Sequence, residues 1–426
     1  MTESLDGPAP PVSRATGDGT RQAGRPAYDH VVLGDDALCL RPWRSGDAPV
    51  MAAACADPDI ARFCMMPAGY TTAMARDFIA DAPRAWADDG WLHLALTGGA
   101  DDRLVGAVGL QTGRLDAPTA DLGYWVMPDR RRRGLARDGV GLMIDWAFAN
   151  LGLRRLAIGT MVGNDVSRRV AGGLGFRAEA LLRSDRPLDG RRTDCVLYSL
   201  LDHEWRERAG GGEGRPAAAP PDETLLPALA AARADYPAAT PALPAMPPLL
   251  GDGAIVLRPY RDGDVPDMVR ACNDTETQRW LDVLPTPYTD ADAREFMARA
   301  ATAWQTRGDA LLCIADAASD RLLGGVGLHG DELWAGVAEI GYHVAPWARR
   351  RGVATAAARL VAQWGLDVLG LGRVQILADT RNRASRGVAE KLGFTFEGAR
   401  RSDHGRPGDL GNHAVYSLRP GDPRPW

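Results

Sequence analysis

Two short basic turns hold the residues best suited to chemistry. Arg131-Arg132-Arg133-Gly134-Leu135-Ala136 and Arg349-Arg350-Arg351-Gly352-Val353-Ala354 each follow an extended apolar stretch and open a helical pattern. A strand, a basic turn with a glycine and then a helix suit the binding of phosphate. The first amides of a helix have no intrahelical acceptor, and the macrodipole adds partial positive charge there. Gly134 and Gly352 let the backbone approach an anion with no side chain in between, and the arginines add forked donors. The same residues also fit a solvated helix cap. Neither copy has the Gly-Lys-Ser/Thr of a phosphate loop that holds magnesium, which weighs against nucleotide hydrolysis.

Downstream of each turn stands an Asn-x-x-Ser, Asn164 to Ser167 and Asn382 to Ser385, and then Leu174-Gly175-Phe176 and Leu392-Gly393-Phe394. Asn and Ser at such places are strong helix caps. Upstream, the strands Ala120 to Met127 and Ala338 to Val344 each carry one carboxylate, Asp121 or Glu339, and an interior glycine, Gly123 or Gly341. Glycine inside a strand marks a bulge or a close backbone approach.

The elements that position these residues follow from periodicity. In the first half, Ala37 to Trp43 reads as a strand ended by Pro42, and Asp47 stands at a helix N-cap. Met74, Phe78, Ile79 and Ala82 to Trp86 give a helix one apolar face. Strands follow at Trp91 to Thr97 and Leu104 to Gln111, joined by a turn-rich loop. The central unit is the strand 120–127, the arginine turn and a helix from Leu135 to Asn150 closed by Gly152. A strand from Arg155 to Met161, a short helix ending at Gly175, and strands Phe176 to Leu182 and Thr193 to Leu201 complete it. A strand-helix-strand core needs a crossover, which means parallel pairing.

The same series then returns. Leu40-Arg41-Pro42 answers Leu257-Arg258-Pro259 at an offset of 217, while Trp86 and Trp304, Gly134 and Gly352, and Tyr198 and Tyr416 stand 218 apart. A repeat this long means two whole domains rather than a solenoid. We place a disordered tail at 1–28, the first domain at 29–206, a Pro/Ala/Gly-rich linker at 207–249 with a short helix near Leu225 to Ala234, and the second domain at 250–426. Each is expected to be an α/β (α+β) unit with a mixed central sheet and flanking helices.

The 426 residues are 45% apolar, enough for two or three substantial cores. The net charge of -5 argues against a general nucleic-acid binder. No apolar run reaches membrane-spanning length and the N-terminus lacks a secretion pattern, so a cytoplasmic location is expected. The six cysteines have no Cys-x-x-Cys pair, and Cys39, Cys195 and Cys313 read as buried thiols. The seven histidines form no metal-spaced cluster, and no metal is expected. Trp86, Trp304, Tyr198 and Tyr416 read as core, whereas Trp125, Trp334 and Trp347 could line a cleft.

This ordered set of motifs, present twice, resembles the GNAT superfamily of N-acetyltransferases. The Leu-Arg-Pro start, the Gly-Tyr strand and the terminal Tyr-Ser-Leu bring it nearest to the RimJ/RimL branch. The resemblance implies transfer of an acetyl or other small acyl group from acyl-CoA to a primary amine, on a peptide or protein N-terminus or on a small molecule. It implies a pyrophosphate on the turn amides, a pantetheine arm between central strands that splay near Gly123 and Gly341, and contacts from Asn164 and Asn382. Asp121 and Glu339 would accept the amine proton, and the amide of Val126 or Val344, or of the next residue, would face the oxyanion. A tyrosine that protonates the leaving thiolate in many relatives is replaced by Ala171 and Ala389. The branch points instead to Ser167 and Ser385. GNAT domains often pair, so the halves are expected to pack as a pseudo-dimer, and the first half could be a non-catalytic CoA-binding module.

Overall fold

The computed structural model describes residues 26–35, 37–98, 101–112, 118–210, 244–245, 247–281, 283–330, 333–406 and 409–426. Most of the expected tail and linker, including the helix near 225–234, lies outside them. The linker boundary expected at 207 falls inside a helix, Asp202–Gly210.

In the first half the strands are β1 (Leu33–Gly34), β2 (Leu38–Arg41), β3 (Trp91–Gly98), β4 (Arg103–Thr112), β5 (Thr119–Val126), β6 (Arg155–Met161), β7 (Arg177–Leu188) and β8 (Arg191–Leu201). The helices are α1 (Ala48–Cys55), α2 (Pro58–Phe63), α3 (Thr72–Arg84), α4 (Leu135–Asn150), α5 (Asp165–Leu174) and α6 (Asp202–Gly210). The second half repeats them as β9 (Leu250–Gly251), β10 (Ile255–Arg258), β11 (Ala310–Asp316), β12 (Leu322–His329), β13 (Val337–Val344), β14 (Arg373–Asp379), β15 (Thr395–Arg406) and β16 (Asp409–Leu418). Its helices are α7 (Val265–Cys272), α8 (Thr275–Trp280), α9 (Asp290–Arg307), α10 (Val353–Gln363) and α11 (Arg383–Lys391).

Alternation along β3, β4 and β5 separates two faces of the sheet. Leu92, Leu94, Val108, Leu110 and Leu122 share a core with Val140, Met143 and Ile144 of α4. Ala95, Ala107 and Trp125 turn to the other face and pack with Trp43, Met51 and Ile79 under α1 and α3. The crossover through α4 joins β5 and β6 in parallel, and that through α10 does the same for β13 and β14. Trp86 and Trp304 lie in the core and donate their indole N–H to the carbonyls of Pro26 and Pro244. Tyr198 and Tyr416 are core residues too, with hydroxyls that meet Arg168 and Arg386. Cys195 and Cys313 are buried as expected, but Cys39 is only partly so.

All sixteen strands form one sheet, β1-β2-β3-β4-β5-β6-β8-β7-β15-β16-β14-β13-β12-β11-β10-β9, whose second half mirrors the first. The junction is β7 against β15, antiparallel, with Ala180 opposite Gly398. These two positions are themselves 218 apart, so the halves meet at corresponding points. Gly398 has φ of +141°, and a Cβ there would stand 2.7 Å from the Ala180 Cα. Only glycine allows that approach.

Charged side chains fasten the junction reciprocally. Glu179 takes Arg155 from its own half at 2.7 Å and Arg401 from the other half at 2.9 Å. Glu397 takes Arg373 from its own half at 2.8 Å and Arg183 across the junction at 3.0 Å. Arg401 and Arg183 go on to Glu204 and Asp422 respectively. Burial works against the Arg401 charge, but Glu204 and Glu179 outweigh it and raise the pKa of that group. Each carboxylate of the central pair also receives a serine hydroxyl, Ser199 or Ser417. Buried charges on this scale persist only when paired and hydrogen-bonded.

β7 was expected to end at Leu182 but runs to Leu188, through an irregular stretch between Leu182 and Arg186. The reason is tertiary: its extension pairs with β8, and the Ser184 amide donates to the Asp194 carboxylate at 2.8 Å.

Candidate functional site

The site grows from a fork in the sheet. β5 and β6 are paired only at Thr119, Ala120 and Asp121, and β13 and β14 only at Val337, Ala338 and Glu339. Beyond those residues the strands separate while β6 and β14 continue against β8 and β16. Asp121 and Glu339 thus stand at the apex of each fork. The parallel pairing ends two residues ahead of Gly123 and Gly341, and the ladders with β4 and β12 run through both glycines without a bulge. Asp121 is exposed and Glu339 partly buried.

The mouth of each fork is bridged from the first turn of the following helix. Asn164 caps α5 by accepting the Ser167 amide at 3.1 Å, and Asn382 caps α11 by accepting that of Ser385 at 3.0 Å. The cap aims each serine back at the central strand, where its Oγ meets a tyrosine hydroxyl: Tyr124 at 2.8 Å, Tyr342 at 3.1 Å. Burial pushes both tyrosines up to about 12, partly offset by the serine bonds. Both phenols therefore remain protonated near neutral pH. These tyrosines were legible only as part of a Gly-Tyr motif. Their partners stand 43 residues away, and the equal spacing of the two pairs was the available signal.

At the outer end of the fork the chain enters the arginine turn. Met127 and Ala345 donate their amides to Val105 and Leu323 of the neighbouring strand. Strand alternation then directs the amides of Val126 and Val344 the other way, into the fork. The residue beyond is already committed, so Val126 and Val344 are the available donors of the alternatives named above. Their carbonyls receive Nε of Arg131 and Arg349 at 3.4 and 3.3 Å.

Arg132 and Arg350 have φ of +62° and +60°, and Gly134 and Gly352 have +81° and +77°. Left-handed residues interleaved in a turn point successive amides into a concavity, and such a nest receives anions. Neither α4 nor α10 has a side-chain cap, and their first helical bonds start from Asp138 and Ala356. The preceding amides, including those of Leu135, Ala136, Val353 and Ala354, have no acceptor within the helix. Arg132, Arg133, Arg350 and Arg351 are exposed at the turn. Arg131 and Arg349 differ. Arg131 reaches back to Asp57 at 2.5 Å and Asp59 at 3.0 Å, and Arg349 to Asp274 and Thr277. Burial acts to raise Asp57, but the Ile60 amide and the Arg131 guanidinium outweigh it and leave the carboxyl below its usual range. These two arginines tie the turn to the helix on the far face of the sheet.

The halves diverge around these shared parts. A carboxylate oxygen of Asp138 stands 3.3 Å from where a Gly134 side chain would begin, at the mouth of the first nest, while the second half has Ala356 there. On the sheet face covered by α1 and α3, the first half stacks Trp43 on Trp125 at 6.5 Å and packs Phe78 against His93 at 5.3 Å. The second half has Tyr260 against Phe296 and, near Tyr260, His343. Burial pushes His93 and His343 down to about 4. Trp347 lies between the guanidinium groups of Arg270 and Arg321, which makes it a packing residue rather than a cleft wall. The Trp334 side chain lies outside the described residues. Among the described residues, no group of three His, Cys, Asp or Glu could hold a metal, and no helix is long and apolar enough to cross a membrane.

The chain is similar to several known proteins. The ribosomal N-acetyltransferase-named YdaF of Bacillus subtilis (strain 168) is 34% identical over 105 residues, 25% of this chain and 57% of YdaF, so the chain spans little more than half of that relative. The N-acetyltransferase p20 of Bacillus licheniformis, itself uncharacterised, is 25% identical over 40% of this chain and 96% of its own. Among solved structures, Mycobacterium smegmatis RimJ in complex with CoA-disulfide is 25% identical with a TM-score of 0.36, over 41% of this chain and 87% of that one. The acetyltransferase (GNAT) domain family matches at residues 37–177 and again at 254–395. With more than half of its length covered in this way, the chain belongs to the GNAT acetyltransferase family, as a tandem of two such domains.

Proposed function

We propose that the protein transfers an acetyl, or another small acyl group, from acyl-CoA to a primary amine by direct attack with both substrates bound. The observation that carries this reading is the forked strand pair, which has a carboxylate at its apex, a Tyr–Ser pair across its mouth and an anion nest at its outer end. The nest suits a diphosphate, and the open backbone edges of the fork suit the amide groups of a pantetheine arm, with Asn164 and Asn382 beside it.

Transfer needs a neutral amine, because a protonated one has no lone pair. Glu339 stands where it can accept that proton, directly or through water. The Val344 amide faces the developing oxyanion. The leaving thiolate takes a proton from Ser385, which regains one from the Tyr342 hydroxyl as Tyr342 is reprotonated from solvent. Asp121, Val126, Ser167 and Tyr124 have the matching places in the first half. There the side chain at the apex is shorter and exposed, and the Asp138 carboxylate, although paired with Arg137 at 3.2 Å, adds negative charge beside the nest. These differences support the second half as the catalyst and the first as a weaker or non-catalytic CoA-binding module. The mirrored strand order and the reciprocal Arg–Glu contacts support the tandem as a covalent stand-in for a symmetric dimer. The name of the YdaF relative favours a protein amine as acceptor.

The test is mass spectrometry of products after incubation with acetyl-CoA and a mixed panel of peptides and small amines, on the wild type, Asp121→Ala and Glu339→Ala. Acylated product that is lost only in Glu339→Ala is the expected result. A wild type that acylates nothing and binds no CoA would remove the proposal.

A further inference from the structure

The acceptor face of the second fork carries a histidine that the carboxylate assignment leaves out. His329 is the last residue of β12, directly opposite Glu339 in the antiparallel register. Side chains so paired lie within about 5.5 Å at Cβ and share one face. Two residues back along both strands, Gly327 is opposite Gly341. The His329 Nε2 stands 3.0 Å from where a Cβ would lie on each of these glycines. A Cβ on either glycine would crowd the ring, so the glycine pair is its seat. The nitrogen is thereby held over the strand that forms one side of the fork, next to the apex.

The first half keeps the glycine pair, Gly109 opposite Gly123, but not this arrangement. Gln111 stands where His329 would be, opposite Asp121. The imidazole near Gly109 belongs to His93 on β3, one strand further from the fork, and a Cβ on Gly123 would meet nothing within 4 Å.

We propose that His329 is the general base of the second half and that Glu339 orients it and balances the imidazolium it becomes. This rests on the acyl-transfer reading and moves the proton-accepting role within it from Glu339 to His329. The amine nitrogen bonds to the thioester carbonyl carbon as its proton passes to His329 Nε2. The carbon–sulfur bond then breaks and the thiolate is protonated, while His329 returns its proton to solvent. On neighbouring positions, the Asp309 carboxylate accepts the Gly330 amide at 2.8 Å, and His343 and Tyr260 pack over Gly325.

The experiment is steady-state thiol release by the full chain with acetyl-CoA and the best amine of the panel, for the wild type, His329→Gln and His329→Ala. His329→Gln installs the first half's residue. Its kcat is expected to fall at least 100-fold, with KM for acetyl-CoA changed less than threefold and the thermal midpoint unchanged. Added imidazole should restore part of the rate to His329→Ala. A His329→Gln enzyme within threefold of wild type overturns the proposal, as does a loss that appears in KM and thermal midpoint without imidazole rescue. A wild type that releases no thiol with any amine overturns the acyl-transfer reading itself and this inference with it.

Discussion

Replacement of Glu397 by alanine tests the physics of the junction. The carboxylate is 1% exposed and receives Arg373 at 2.8 Å, the Arg183 Nε at 3.0 Å, the Arg183 amide at 2.9 Å and the Ser417 hydroxyl. Arg373 is 0% exposed and would keep the neutral acceptors Arg183 carbonyl at 3.0 Å and Gln375 at 2.9 Å, with the distant Asp185 carboxylate at 3.8 Å. Arg183 would keep Asp422 at 3.0 Å and some contact with water. The dominant cost is therefore one uncompensated buried guanidinium, about 3–5 kcal/mol. For a domain of this size each kcal/mol moves the midpoint by about 2–4 °C, so a drop of about 10 °C is expected. Because Arg183 belongs to the first half, calorimetry should show both halves melting lower, the second more than the first. The double replacement Arg373→Met with Glu397→Leu removes both charges together and should recover most of the loss. A Glu397→Ala midpoint within about 2 °C of wild type would refute the claim that this charge is held by its buried partners.

Acidification probes the two depressed histidines. Burial lowers the folded pKa of His93 and His343 to about 4 from an ordinary 6.5. Between those values the unfolded chain binds the extra protons, so stability is complete above about pH 6.5 and declines as pH falls toward about 4. The loss is up to about 3 kcal/mol per residue and less in proportion to residual solvent contact. Urea titrations at pH 7 and pH 5 should show the decline, and it should shrink in His343→Gln; a pH-independent midpoint would contradict it. At the first nest, Asp138→Ala should tighten CoA binding at that site about two- to fivefold in calorimetric titration, since a like charge leaves the helix terminus. Unchanged or weaker binding there would show that Asp138 does not oppose a diphosphate.

Much of this protein is decided within short windows of sequence. The apolar spacing in 135–150 and 155–161 gave helix and strand limits that α4 and β6 match to the residue, because period and cap are properties of neighbours. The glycines of both turns, as places of close backbone approach, and the Asn caps were legible for the same reason, and the 218-residue recurrence announced two domains. What tertiary structure alone decided lies between residues far apart. The ladder between β5 and β6 stops at Asp121, the hydroxyls of Tyr124 and Ser167 meet across 43 positions, and Arg131 is drawn to Asp57 across 74. The union of two sheets at Ala180 and Gly398, with Arg183 and Arg401 exchanged between halves, likewise lies beyond any local pattern. Periodicity tells which face a side chain takes, but a contact needs two backbones brought to one place, and that geometry is set by the packing of the whole sheet.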